Sequence, residues 1–197
     1  MSFLTGTNTE LIYASTGAGT AKNTFTSEVT INDAAMGVQC HLPPDFWLPS
    51  PTSVGRGIRL VARGYLSSTG TPTYQWTVRG GTAGSITSAI LFQTAALTTG
   101  SGVTNQHWEL EGDFVVTAMG QPGANSTGQG LGKVMSPGLA APYVYPASAG
   151  GSGSVTTTTT SLLDTSITNF INVNVTCSAS SASNAIRITQ LLVYGLN

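Results

Sequence analysis

Asn105 to Met119 reads NQHWELEGDFVVTAM, and its period of two decides the fold class. Trp108, Leu110, Phe114 and Val116 share one parity, while His107, Glu109, Glu111 and Asp113 share the other. Successive side chains on a strand point to opposite faces, so this segment is a long strand with one apolar and one charged face. Gly112 interrupts the apolar row, a position where bulges form. Working outward, Thr73 to Arg79 (TYQWTVR) places Tyr74, Trp76 and Val78 together, and Ile167 to Cys177 places Ile171, Val173, Val175 and Cys177 inward with Asn172, Asn174 and Thr176 outward. Phe25 to Ile31, Arg56 to Leu66, Ile86 to Leu97 and Ile186 to Leu196 read as further strands, and the threonines at 156–160 favour another. No segment carries the apolar stripe of a helix. The expectation is an all-β chain, an antiparallel β-sandwich of about eight strands in a jelly roll, with an extended N-terminal region.

The domain reading has two parts. Residues 1–52 form an N-terminal arm and strand that ends in a Pro-rich connector, Leu42 to Ser53 (LPPDFWLPSPTS). Residues 53–197 form the sandwich, with Gly/Ser/Pro-rich loops over 120–154.

Composition narrows the function. Only 8% of the 197 residues are charged, against about 25% in an ordinary domain, and the formal charge is -1. Threonine and serine, 30 and 21 residues, cover the surface instead. With 40% hydrophobic residues the chain folds, but it lacks the basic footprint of a nucleic-acid binder and any basic helix for a membrane surface. Met1 to Tyr13 is polar and carries Glu10, unlike a secretory signal, so a soluble protein made in a cytoplasm is expected. Cys40 and Cys177 have no metal-binding spacing and read as buried free thiols, with a disulfide between them as the alternative.

Glu109, Glu111 and Asp113 stand about 7 Å apart along one strand face, a spacing at which carboxylates hold a cation or act as acid and base. Arg59 and Arg63 share a parity on their own strand. Pairing of the two rows across strands or between subunits would absorb these charges without chemistry, and that reading is preferred. His41 and His107 lie in no nucleophile motif, and Gly128 to Val134 (GQGLGKV) fails the phosphate-loop pattern at Thr127 and Val134. No catalytic, cofactor or metal residues are assigned. Trp76 and Trp108 lie on apolar parities and read as core. Phe46 and Trp47, in the Pro-rich connector, are the candidate anchors for a partner, with Trp47 read as an anchor either against its own domain or against that partner.

Three segments carry a resemblance: Gly57 to Thr73 (GIRLVARGYLSSTGTPT), Ser101 to Asp113 (SGVTNQHWELEGD) and Cys177 to Leu196 (CSASSASNAIRITQLLVYGL). Together they resemble small virion proteins of tailed bacteriophages. The resemblance implies jelly-roll modules that oligomerise, often as trimers, as capsid decoration or cement proteins or as tail-fibre parts. It supplies no catalytic residues. The expectation is a homotrimer on the capsid exterior that binds the major capsid protein and bridges its subunits. The alternative is a tail-fibre or baseplate host-adhesion module that meets tail proteins or a surface carbohydrate.

Overall fold

The computed structural model describes residues 9–48, 56–120, 126–141, 145–148 and 158–196. The strands are β1 Thr9–Ser15, β2 Val29–Thr30, β3 His41–Leu42, β4 Gly57–Ser68, β5 Thr73–Gly81, β6 Ala89–Thr94 and β7 Leu97–Thr98. They continue with β8 Val103–Ala118, β9 Ser126–Met135, β10 Tyr145–Ser148, β11 Thr158–Leu163, β12 Asn169–Cys177 and β13 Ala185–Leu196. The one helical element among the described residues is a single 3-10 turn, Ala34–Met36. Every ladder among the described residues is antiparallel.

The hydrogen-bonded order β1-β13-β4-β8-β9-β10-β6-β5-β12-β2 folds back on itself around β10, so two sheets face each other. One contains β1-β13-β4-β8 and the other β2-β12-β5-β6. Counting these strands in chain order as one to eight, the sheets run one-eight-three-six and two-seven-four-five. Two Greek keys wound into a jelly roll produce that order. The hairpin partner β9 extends the first sheet beyond β8, and β10 joins β9 to β6 at the fold.

The inner faces follow the period-two pattern. Tyr74, Trp76, Val78, Trp108, Leu110, Phe114 and Val116 are all buried, and Trp76 meets Trp108 across the sandwich at 5.9 Å between ring centroids. Burying such side chains stabilises the fold by about 1.5–3 kcal/mol each.

Four expectations need correction. The loop expected over 120–154 contains two strands, β9 and β10. In β9 the inward row runs Ser126, Gly128, Gly130, Gly132 and Val134, with glycine at its centre: a Cβ on Gly128 would lie 2.2 Å from the Phe114 ring, and one on Gly130 would lie 2.1 Å from the Leu91 carbonyl oxygen. The strand is therefore periodic in size, and hydrophobicity does not reveal it. Gly112 is no bulge, since β8 pairs on through it to Leu60 and Gly132, and its missing side chain is filled by the Phe92 ring. Asn172 and Asn174, read as outward, are buried. Asn172 Nδ2 donates to the Thr82 carbonyl and its Oδ1 accepts from Gly84 N–H, while Asn174 Nδ2 donates to Glu28 and to the Ser85 carbonyl.

The fourth concerns the N-terminal arm. The expected boundary at residue 52 lies outside the described residues, but residues 9–48 are built into the sandwich. β1 runs along β13, and β2 and β3 pair with β12. Between them Asn32 acts as a strand-edge substitute, donating to the Ile171 carbonyl at 2.8 Å and accepting from Val173 N–H at 2.7 Å. Thr156 and Thr157 also lie outside the described residues, and the strand predicted there runs over Thr158–Leu163.

Candidate functional site

The charged row of β8 is held from both sides. Register places Arg59 opposite Asp113 and Arg63 opposite Glu109 on β4, and Lys133 opposite Glu111 on β9. Arg59 grips Asp113 with two hydrogen bonds of 2.8 Å, and Lys133 Nζ reaches Glu111 at 2.9 Å. Arg63 donates through Nε to Glu109 at 2.5 Å and through Nη1 to Gln190 Oε1 at 2.6 Å. Hydrogen bonding to Asp113 raises the Arg59 guanidinium further above its ordinary value, and Glu111 does the same for the Lys133 ammonium. Each carboxylate of the row is thus matched to its own cation, and no group of three His, Cys, Asp or Glu among the described residues is placed to hold a metal ion.

Phe46 and Trp47 pack against the chain's own core. Trp47 is fully buried, edge-on to Phe46 at 5.2 Å and to Phe114 at 5.7 Å. Arg56 lies over the Phe46 ring at 4.6 Å. The chain folds the connector back onto its own core, which removes the aromatic surface that an extended connector would have left in solvent. The two thiols are free and buried. Burial pushes Cys40 up to about 12, and Cys177 donates to the Ala179 carbonyl at 3.3 Å. The segment resembling a phosphate loop lies inside β9, with no strand-to-helix turn.

The surface feature of greatest interest lies at the other end of the β4 face. A cleft of about 410 Å³ is lined by Ala21, Tyr65, Ser67, Asn105, Ala185, Ile186 and Arg187. Tyr65 on β4 stands opposite Arg187 on β13, which lines the cleft with it, and on its other side opposite His107 on β8. Tyr65 is 47% exposed, and its ring meets His107 edge-on at 6.2 Å. Ser67 ties the floor together: its Oγ accepts from Asn105 N–H at 2.9 Å and donates to Asn105 Oδ1 at 3.3 Å. That contact fixes Asn105 in a left-handed conformation, φ 47°, which asparagine tolerates better than most residues. Asn184, in the SASN turn below, is buried and braces the approach by accepting from Thr69 N–H and donating to the Ala179 carbonyl. Sequence reading missed Tyr65, although it shares the outward parity of Arg59 and Arg63.

No protein-family model and no curated protein matches the chain. Among solved structures it is similar to the CBM2 module of the evolved Dit protein of Lactobacillus casei BL23 phage J-1, with 13% identity, 97% of each chain covered and a TM-score of 0.33. Among the described residues no helix is long and apolar enough to cross a membrane.

Proposed function

We propose that this chain is a structural module of a tailed-bacteriophage virion that holds a carbohydrate of the host surface, as a tail or baseplate part. The virion assignment rests on the sequence resemblance; the binding role rests on Tyr65. A half-exposed aromatic ring in a cleft edged by the Asn105 amide, the Ser67 hydroxyl and the Arg187 guanidinium suits a sugar, whose C–H face stacks on the ring while its hydroxyls reach the rim. Binding is favoured over hydrolysis because a glycosidase needs one carboxyl to carry a proton and another to attack or activate water. Glu109, Glu111 and Asp113 are instead each engaged by a cation.

Self-association, as a homotrimer, belongs to the same proposal. Val115, Leu131 and Met135 are exposed on the outer face of β8 and β9, interspersed with the ion-paired row, and offer a neighbouring copy a mixed apolar and charged surface. That patch is also the observation that favours the second reading, a capsid decoration protein packed against the major capsid protein. Quantitative mass spectrometry of purified particles separates the two. Copy numbers that are a small fraction of the major capsid protein support the tail, comparable numbers return the chain to the head, and absence from the particle overturns both.

A further inference from the structure

The seven lysines and arginines of this chain are not equivalent. Six of them, Lys22, Arg56, Arg59, Arg63, Arg79 and Lys133, stand within 4.0 Å of a carboxylate. The seventh, Arg187, has no carboxylate partner among the described residues, and it is the one that lines the Tyr65 cleft. In a chain this sparing of charge, leaving one cation unmatched there is a departure from its own pattern.

Arg187 is also held in place. Its Nε–H donates to the Gly19 carbonyl at 2.9 Å, which fixes the guanidinium, while both terminal amino groups have no acceptor among the described residues. A fixed guanidinium with its terminal donors unspent matches the paired oxygens of a carboxylate or phosphate, and less is lost in ordering it than for a flexible lysine. No carboxylate side chain lines the cleft, so nothing there competes for the guanidinium or repels an anion. The Asn105 side-chain amide likewise has no acceptor among the described residues and is available to a hydroxyl.

We infer that the Tyr65–Asn105–Arg187 cleft selects an acidic saccharide unit, with the sugar ring on Tyr65 and its carboxylate or phosphate on Arg187. This deepens the proposed carbohydrate-binding role and rests on it. The position of Tyr65 beside Arg187 in the β4–β13 register is what couples the two interactions, since cross-strand neighbours are close enough for one ring and its acidic substituent to meet both.

Titration of the full ¹⁵N-labelled chain with trigalacturonic acid, maltotriose and sodium phosphate, followed by amide chemical shifts, tests this. Trigalacturonic acid is expected to shift the amides of Ala21, Asn105, Ala185 and Arg187 saturably and to bind more tightly than maltotriose, with an affinity that falls as salt rises. Arg187→Gln should weaken the acidic trisaccharide by about tenfold and leave maltotriose unchanged. Arg187→Lys, which keeps the charge but loses the fork, should fall between, and an unchanged spectrum away from the cleft shows that both variants are folded. Equal affinity for the acidic and neutral trisaccharides overturns the acidic selectivity and leaves the carbohydrate reading standing. Phosphate that binds as tightly as trigalacturonic acid marks a plain anion site and overturns the inference. No saturable shift at these amides with either trisaccharide removes the inference and the carbohydrate reading together.

Discussion

Replacing Gly130 by alanine would put a methyl carbon 2.1 Å from the Leu91 carbonyl oxygen and 3.1 Å from both the Leu91 carbonyl carbon and Phe92 Cβ. A carbon sits comfortably no closer than about 3.3 Å to such an oxygen, so β9 and β6 must separate by about 1 Å where the two sheets fold together. The obstacle is backbone, and no rotamer change relieves it. Overpacking of this kind costs about 1–3 kcal/mol, with the upper end applying when main chain must move. The reduced freedom of the unfolded chain returns about 0.4–1 kcal/mol, leaving a net loss of about 2 kcal/mol. For a chain of this size that lowers the melting temperature by about 4–8 °C. Thermal and urea unfolding followed by tryptophan fluorescence would read it, because Trp47, Trp76 and Trp108 are all buried. Gln129→Ala, one residue away on the exposed parity, should stay within about 0.5 kcal/mol of the parent. A Gly130→Ala chain as stable as Gln129→Ala would refute the placement of β9 against β6.

Two further outcomes follow from the charges. The Arg79–Glu28 pair is 12% and 16% exposed and also engages Asn174 and the Ser88 carbonyl, so Arg79→Ala should cost about 3 kcal/mol in urea unfolding by stranding a buried carboxylate. Arg59→Ala, in a pair 45% and 40% exposed, should cost no more than about 1 kcal/mol. Burial works against ionisation of Asp33, but hydrogen bonds from Lys22 and Thr20 outweigh it and hold the carboxyl down to about 2. A depressed carboxyl stabilises the fold above its unfolded value and loses that contribution as pH falls through its folded one. Stability should therefore decline between about pH 4 and pH 2, and Asp33→Asn should flatten that part of the unfolding-versus-pH curve.

What was legible in the sequence depended on the size of the inward side chains. β5, β8 and the inner row of β12 announce themselves through Tyr74, Trp76, Trp108, Phe114 and Val173, because large apolar residues at every second position have no other reading. β9 carries the same alternation in glycine and so resembles a loop. β2 and β3 are two residues long each, too short for any period, and the buried side-chain bridge of Asn32 stands in for a longer edge strand. The outward face of β12 was misread because the Gly84 turn and Glu28 cover its asparagines, a tertiary contact that parity does not encode. The cleft was hidden for a related reason. Arg187, Tyr65 and His107 are far apart in sequence, and only the registers of β4 with β13 and β8 line them up.

Co-sedimentation of the purified chain with cell envelopes of the host bacterium tests the central claim most directly, because the envelope presents its own sugars and none has to be chosen in advance. Tyr65 is half-exposed and outside the core, so Tyr65→Ala should fold normally and alter only the cleft. The wild-type chain should sediment with the envelopes, be released by polysaccharide extracted from them, and lose that binding to background in Tyr65→Ala. A Tyr65→Ala chain that sediments as fully as the wild type would contradict the assignment of the cleft as the carbohydrate site.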